Sequence, residues 1–161
     1  MINFLKIKKA CPPTRRGITA VELLVVIAVL GIIFSITIPQ FSKIRENQVL
    51  KSAISDILSS LNKAQSQTLA SLNSSSYGVH FQSDKVIIFK GTAFSDSDLN
   101  NEIINIISPA TISNIMLTEG SENIYFNRLS GVPSVTGSIV ISSTNFTKTI
   151  TISAVGAVSV N

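Results

Sequence analysis

One carboxylate, Glu22, stands alone in an otherwise uncharged run, ITAVELLVVIAVLGIIFSITI, from Ile18 to Ile38. A charge near the end of a membrane-spanning helix costs up to about a few kcal/mol and is normally matched by a partner. The nearest available cation is one the chain can make: the α-amino group of Ile18, freed by a cut after Gly17. In its own helix that amine sits one turn from Glu22. In an adjacent subunit it can lie directly opposite, fixing the axial register of one helix against the next in a low-dielectric setting.

Other residues carry chemistry with less definition. Asp96, Asp98, Asn100 and Glu102 place oxygen ligands at alternate positions, a spacing open to calcium, but without the glycine and twelfth-position glutamate of an EF-hand loop. The same run also suits a solvated acidic loop or a helix cap. His80, the only histidine, alternates with Val79 and Phe81 in a strand-like stretch and has no cysteine or carboxylate beside it. It reads as a surface or packed strand residue rather than a metal ligand or part of a catalytic triad. Arg128 can pair with an acid within its own domain or across a subunit contact. No phosphate-binding glycine loop or paired-carboxylate motif is present, so neither an enzyme activity nor a cofactor or metal is expected.

The apolar run must position Glu22. Its 21 residues, as an α-helix, span about 30 Å, the thickness of a bilayer's hydrocarbon core. Five of the 13 basic residues (Lys6, Lys8, Lys9, Arg15, Arg16) precede it, and no acid does. The positive-inside tendency then predicts a cytoplasmic N-terminus and an exported C-terminal domain. The rest of the chain holds eight basic and nine acidic side chains, so the excess positive charge belongs to residues 1–17. That distribution argues against a basic nucleic-acid-binding domain. The single cysteine, Cys11, lies in the same leader, so a chain starting at Ile18 has no disulfide and no cysteine zinc site. An ordinary secretory signal has a shorter apolar stretch, followed by small residues; here PQFSKIRENQ follows instead.

After Pro39 the pattern becomes amphipathic. Ile44, Leu50, Ile54, Ile57, Leu58, Leu61, Ala64, Leu69 and Leu72 form one stripe, with Lys43, Glu46, Lys51, Asp56 and Lys63 between them. The spacing predicts one helix over about 18–72, stopping in the serine-rich stretch 73–76. Pro39 removes a helical hydrogen bond and marks a kink. From Tyr77 onward strand patterns dominate: 77–81 and 85–90 as a hairpin, 103–107, 112–117, 123–126, 138–142 and 148–153 as a second hairpin, and 157–160. The expected fold is α+β: a long N-terminal helix whose amphipathic half packs on one antiparallel sheet or two small ones. The expected segments are 1–17, a basic leader; 18–39, a membrane and assembly half-helix; 40–72, an amphipathic half-helix; and 73–161, a β-rich domain.

The stretch RRGITAVELLVVIAVLGIIFSITIPQF resembles the N-terminal signature of type IV pilins and pseudopilins. The resemblance implies that a prepilin peptidase cuts the Gly17–Ile18 bond and that Ile18 is then N-methylated. It makes Glu22 the fifth mature residue, where the family has its register-setting glutamate, and Pro39 the position where pilin helices commonly bend. The family's first mature residue is most often Phe; here it is Ile18. The order of helix, β-rich domain and closing hairpin is similar to the minor pseudopilins called GspH in type II secretion and FimT in type IV pilus systems. The matching parts are YFNRLSG at 125–131, GSIVIS at 137–142 and ITISAVGAV at 150–158. The implied partners are prepilin peptidase, other pilin or pseudopilin subunits, an inner-membrane assembly platform and membrane lipid. Some FimT-type proteins bind DNA through arginines just after the final glycine. The segment after Gly156 here, AVSVN, has no basic residue, which disfavours DNA as a ligand. The expected function is that of a structural filament subunit; the alternative is a filament-tip module that captures DNA or a secreted substrate.

Overall fold

The computed structural model describes residues 17–161, with the backbone alone at 38 and 39. The leader cations Lys6, Lys8, Lys9, Arg15 and Arg16, and Cys11, lie outside the described residues, as does the side chain of Pro39. Helix α1 spans Ala20–Leu69. Eight strands follow: β1 Tyr77–Phe81, β2 Lys85–Lys90, β3 Glu102–Asn105, β4 Thr111–Leu117, β5 Asn123–Tyr125, β6 Gly137–Ser142, β7 Thr147–Ile152 and β8 Val158–Val160. The architecture is α+β, as the alternation of apolar residues predicts. The chain divides into two compact units at the Pro39–Gln40 junction.

In the first unit the side chains of α1 from Ala20 to Ile36 are all exposed, including Leu23, Val25, Leu30 and Phe34. This part of the helix is long and apolar enough to cross a membrane. Its hydroxyls are handled locally: Thr37 Oγ1 donates back to the Ile33 carbonyl at 3.1 Å, which hides a polar group within the helix.

In the second unit the strands form two antiparallel four-stranded sheets, ordered β3-β2-β1-β5 and β4-β6-β7-β8. Both expected hairpins are present, with Val79 opposite Ile88 in the first and Ile139 opposite Ile150 in the second. The strands of the second sheet alternate, so Ile139, Ile141, Ile150 and Ile152 face the core while Ser138, Thr149 and Thr151 face out. One core joins the helix to both sheets through Leu50, Ile57, Leu61, Phe81, Ile124, Phe126 and these isoleucines.

The buried helix face differs from the stripe of large apolar residues. Ile44, Leu69 and Leu72 are about half exposed, while Ala53, Ser60 and Thr68 are buried. The reason is geometric. Positions 50, 53, 57, 60, 61, 64 and 68 lie on one side of a 3.6-residue helix, and small or polar residues are admitted there when their hydrogen bonds are met. Ser60 Oγ donates to the Asp56 carbonyl at 2.7 Å. Thr68 Oγ1 donates to the Ala64 carbonyl at 2.9 Å and accepts the Tyr77 N–H at 2.9 Å. Thr68 thereby ties the last helical turn to the first strand. The helix stops at Leu69, three residues earlier than expected, and the chain reverses through left-handed Ser71, Asn73 and Ser74.

The two central strands of the first sheet, β1 and β2, are covered on both faces. Every residue of β1 is buried, because the loop 91–101 folds back over the face turned away from the core. Its Phe94 ring stacks on His80 at 4.0 Å and meets Phe89 edge-on at 5.7 Å. Gly78 leaves room for this second layer: a Cβ there would lie 2.4 Å from Phe89 Cζ and 2.6 Å from the Ile124 carbonyl oxygen.

Candidate functional site

Gly17, Ile18 and Thr19 are non-helical and exposed. Thr19 Oγ1 accepts the Glu22 N–H at 3.1 Å, and the Thr19 carbonyl accepts the Leu23 N–H at 3.1 Å, the first bond of the helix. Thr19 is thus the N-cap, and Thr19-Ala20-Val21-Glu22 has the T-x-x-E spacing of a capping box. Glu22 sits in the first turn, where the partial positive charge of the helix end favours a carboxylate. The T-x-x-E spacing of Thr19 and Glu22 is the sequence signal of this cap.

This geometry brings Gly17, Ile18 and Glu22 together within about one turn. The Gly17–Ile18 bond lies outside the helix, directly ahead of the cap, where backbone groups are unpaired by helical bonds. A side chain at Gly17 would meet nothing within 4 Å, and Ile18 is 78% exposed. Pro39 stands 17 positions beyond Glu22, about 26 Å along the helix, and helical backbone continues through it.

The other candidates go separate ways. Glu102 is held by Lys63, whose Nζ lies 2.6 Å from both carboxylate oxygens. Asp98 Oδ1 accepts the Asn100 N–H at 2.9 Å and the Asn100 side-chain amide at 2.8 Å. These bonds, aided by nearby Lys90, hold the Asp98 carboxyl below its ordinary 3.8. The acidic run is thus spent on a turn and an ion pair, and among the described residues no three metal-ligating side chains are grouped. His80 is a buried strand residue. Its Nδ1 faces Asn123 Oδ1 and its Nε2 faces the Gln82 amide at 3.0 Å, a set satisfied by the tautomer protonated on Nδ1. Arg128 is exposed and makes no salt bridge among the described residues.

A cleft of about 580 Å³ in the β-rich unit lies between the two sheets and is lined by Gln82, Ser83, Asp84, Ser113, Asn114 and Glu122 over Phe81 and Ile112. Its lining holds no imidazole, thiol or cation. Gly156 turns the chain between β7 and β8 in a left-handed conformation, φ 83°, and a Cβ there would meet the Gln65 amide at 2.6 Å. That amide donates to the Gly131 carbonyl at 2.9 Å, so the glycine serves the packing of the 125–131 loop on the helix. Family models, curated proteins and solved structures were all compared with this chain, and none matches it.

Proposed function

We propose that this chain is the precursor of a pilin- or pseudopilin-type structural subunit, which enters a membrane-rooted filament after its leader is removed at Gly17–Ile18. One observation carries the reading. An exposed, non-helical Gly-Ile bond stands one residue ahead of a capped helix, and the apolar stretch of that helix, residues 20–38, bears a single acid, Glu22, in its first turn.

Each step has a physical basis. The leader's cations hold the N-terminus on the cytoplasmic side while the β-rich unit is exported. Cleavage of Gly17–Ile18 creates an ammonium group, which is then methylated, next to a helix end that already carries partial positive charge. The Glu22 carboxylate of a neighbouring subunit neutralises it, and the cost of leaving either charge unpaired in an apolar setting selects the correct axial register. Exposed side chains such as Val25 and Phe34 pass from lipid to neighbouring helices with little change of environment. The β-rich unit, held by one core, is carried on the outside.

N-terminal mass spectrometry of the protein from its native cells tests the reading. The expected mature chain begins with N-methylated Ile18, and a bulky replacement of Gly17 leaves the leader attached. A native chain that retains Met1–Gly17, or one trimmed beyond Pro39, refutes it.

A further inference from the structure

We propose that the free edge of β4 takes a further strand: an extended segment of a different polypeptide, carrying lysine or arginine at alternate positions and seated in the cleft between the two sheets. The site lies wholly within the β-rich unit and does not depend on the filament reading.

The edge makes the contact. β4 ends its sheet and has β6 on one side only. Ladder geometry fixes which of its backbone groups are spare. The Thr118 N–H donates to the Thr136 carbonyl across the pair, so Met116 and Asn114 bond on that same side. Ile115 therefore turns its N–H and C=O to the other side, and Leu117 its N–H. None of the three meets a backbone partner there among the described residues. On this open side the Ile112 N–H already donates to the Ser83 carbonyl at 3.0 Å. The chain thus begins a strand-like pairing along β4 and leaves the next stretch of the edge to the cleft. The bulge at Ser113 does not block it, because Ser113 Oγ donates to the Val140 carbonyl at 3.2 Å, toward β6. Charges and prolines, which commonly guard a free edge, are missing from β4, TISNIML.

The cleft chooses the occupant. Of its lining residues only Asp84 and Glu122 are charged; both are exposed, and neither has an ion-pair partner among the described residues. They stand on the walls rather than on β4, Asp84 in the β1–β2 turn and Glu122 just before β5. A lysine or arginine of the added strand can lay its apolar stem along Ile115 and bring its charge to either acid. Each such pair is exposed and weak, so it takes both to select a basic segment over a neutral one. A second copy of this chain does not supply that segment. The other strands that end a sheet, β3 (EIIN), β5 (NIY) and β8 (VSV), hold no lysine or arginine, and β3 would bring Glu102 against acids of its own sign. Main-chain bonds to the edge would give the affinity and the two acids the selectivity, as in strand addition generally.

Fluorescence anisotropy with the full chain in a nonionic detergent tests the site. The probe is a labelled peptide of alternating lysine and valine, about eight residues long. It is expected to bind saturably. The same peptide with glutamine for lysine, and one with its backbone amides N-methylated, are each expected to bind at least about tenfold more weakly, the first for lost charge and the second for lost ladder bonds. The chain carrying Asp84→Asn and Glu122→Gln is expected to lose about tenfold in affinity for the lysine peptide and nothing for the glutamine peptide. Ile115→Pro removes an N–H that points out of the sheet and spares the β4–β6 ladder, so it is expected to fold, by circular dichroism, and to lose binding. The N-methylated peptide decides the ladder whether or not that variant folds. No saturable binding of the lysine peptide, equal binding of the glutamine or N-methylated peptide, or an affinity unchanged by Asp84→Asn with Glu122→Gln overturns the proposal. A folded Ile115→Pro chain that binds as tightly as the parent overturns it too.

Discussion

Replacing Glu22 by alanine separates a local role for the carboxylate from a role between subunits. Locally, Glu22 is the third residue of a capped helix, with its N–H on Thr19 Oγ1 at 3.1 Å. A carboxylate in a first turn contributes about 0.3–1 kcal/mol through the helix dipole. At about 1.4 kcal/mol per decade, its loss changes an assembly equilibrium by about fivefold at most. If instead Glu22 neutralises the Ile18 ammonium of a neighbour in an apolar bundle, its removal strands a buried charge. Breaking such a pair costs about 3–5 kcal/mol, or two to nearly four decades. Thr19→Ala is the control, because it removes the cap, worth about 0.5–2 kcal/mol, and leaves the carboxylate. The assay is the ratio of cleaved subunit in sheared filaments to cleaved subunit in membranes, by immunoblot. Glu22→Ala is expected to be processed normally and to fall at least a hundredfold in that ratio, well below Thr19→Ala. A decrease within fivefold, or one equal to that of Thr19→Ala, refutes the register mechanism and leaves Glu22 as a helix-capping residue.

Three further perturbations address the β-rich unit and its joint with the helix. Thr68→Val keeps the shape of a buried side chain but leaves the Tyr77 N–H without its acceptor, so thermal unfolding should show a loss of about 1–3 kcal/mol, and an unchanged Tm speaks against the staple. Gly78→Ala forces a methyl against Phe89 and the Ile124 carbonyl, and should cost about 1–3 kcal/mol with loss of the Phe94 packing; a neutral result means the second layer is loose. The Asp98 carboxyl is held below its ordinary 3.8 by Asn100, so its contribution to the loop is complete above about pH 3.8 and is lost as pH falls through the lowered value. The amide resonance of Asn100 should report that midpoint, and a midpoint at or above 3.8 contradicts the turn.

Much of this molecule is readable from local order along the chain. The apolar run, the Gly17 and Glu22 spacing and the T-x-x-E cap all act within one or two helical turns, where side-chain type alone dictates what the backbone can do. The strands are equally local. Alternation places 77–81 and 85–90 at their observed bounds and the other six within one or two residues. What tertiary structure alone decided is everything that joins distant segments. Periodicity favours Leu69 and Leu72 for burial, yet the core takes Ala53, Ser60 and Thr68, because a closely packed sheet needs small side chains and one hydroxyl aimed at Tyr77. His80 has its partners 43 and 2 positions away in Asn123 and Gln82, and its cover in Phe94. The pairing of β1 with β5, and of β4 with β6, closes long loops that no window of sequence contains. Glu102 shows the same division: its charge is plain in the chain, but its bond to Lys63, 39 positions away, exists only because the helix and the edge strand share one core.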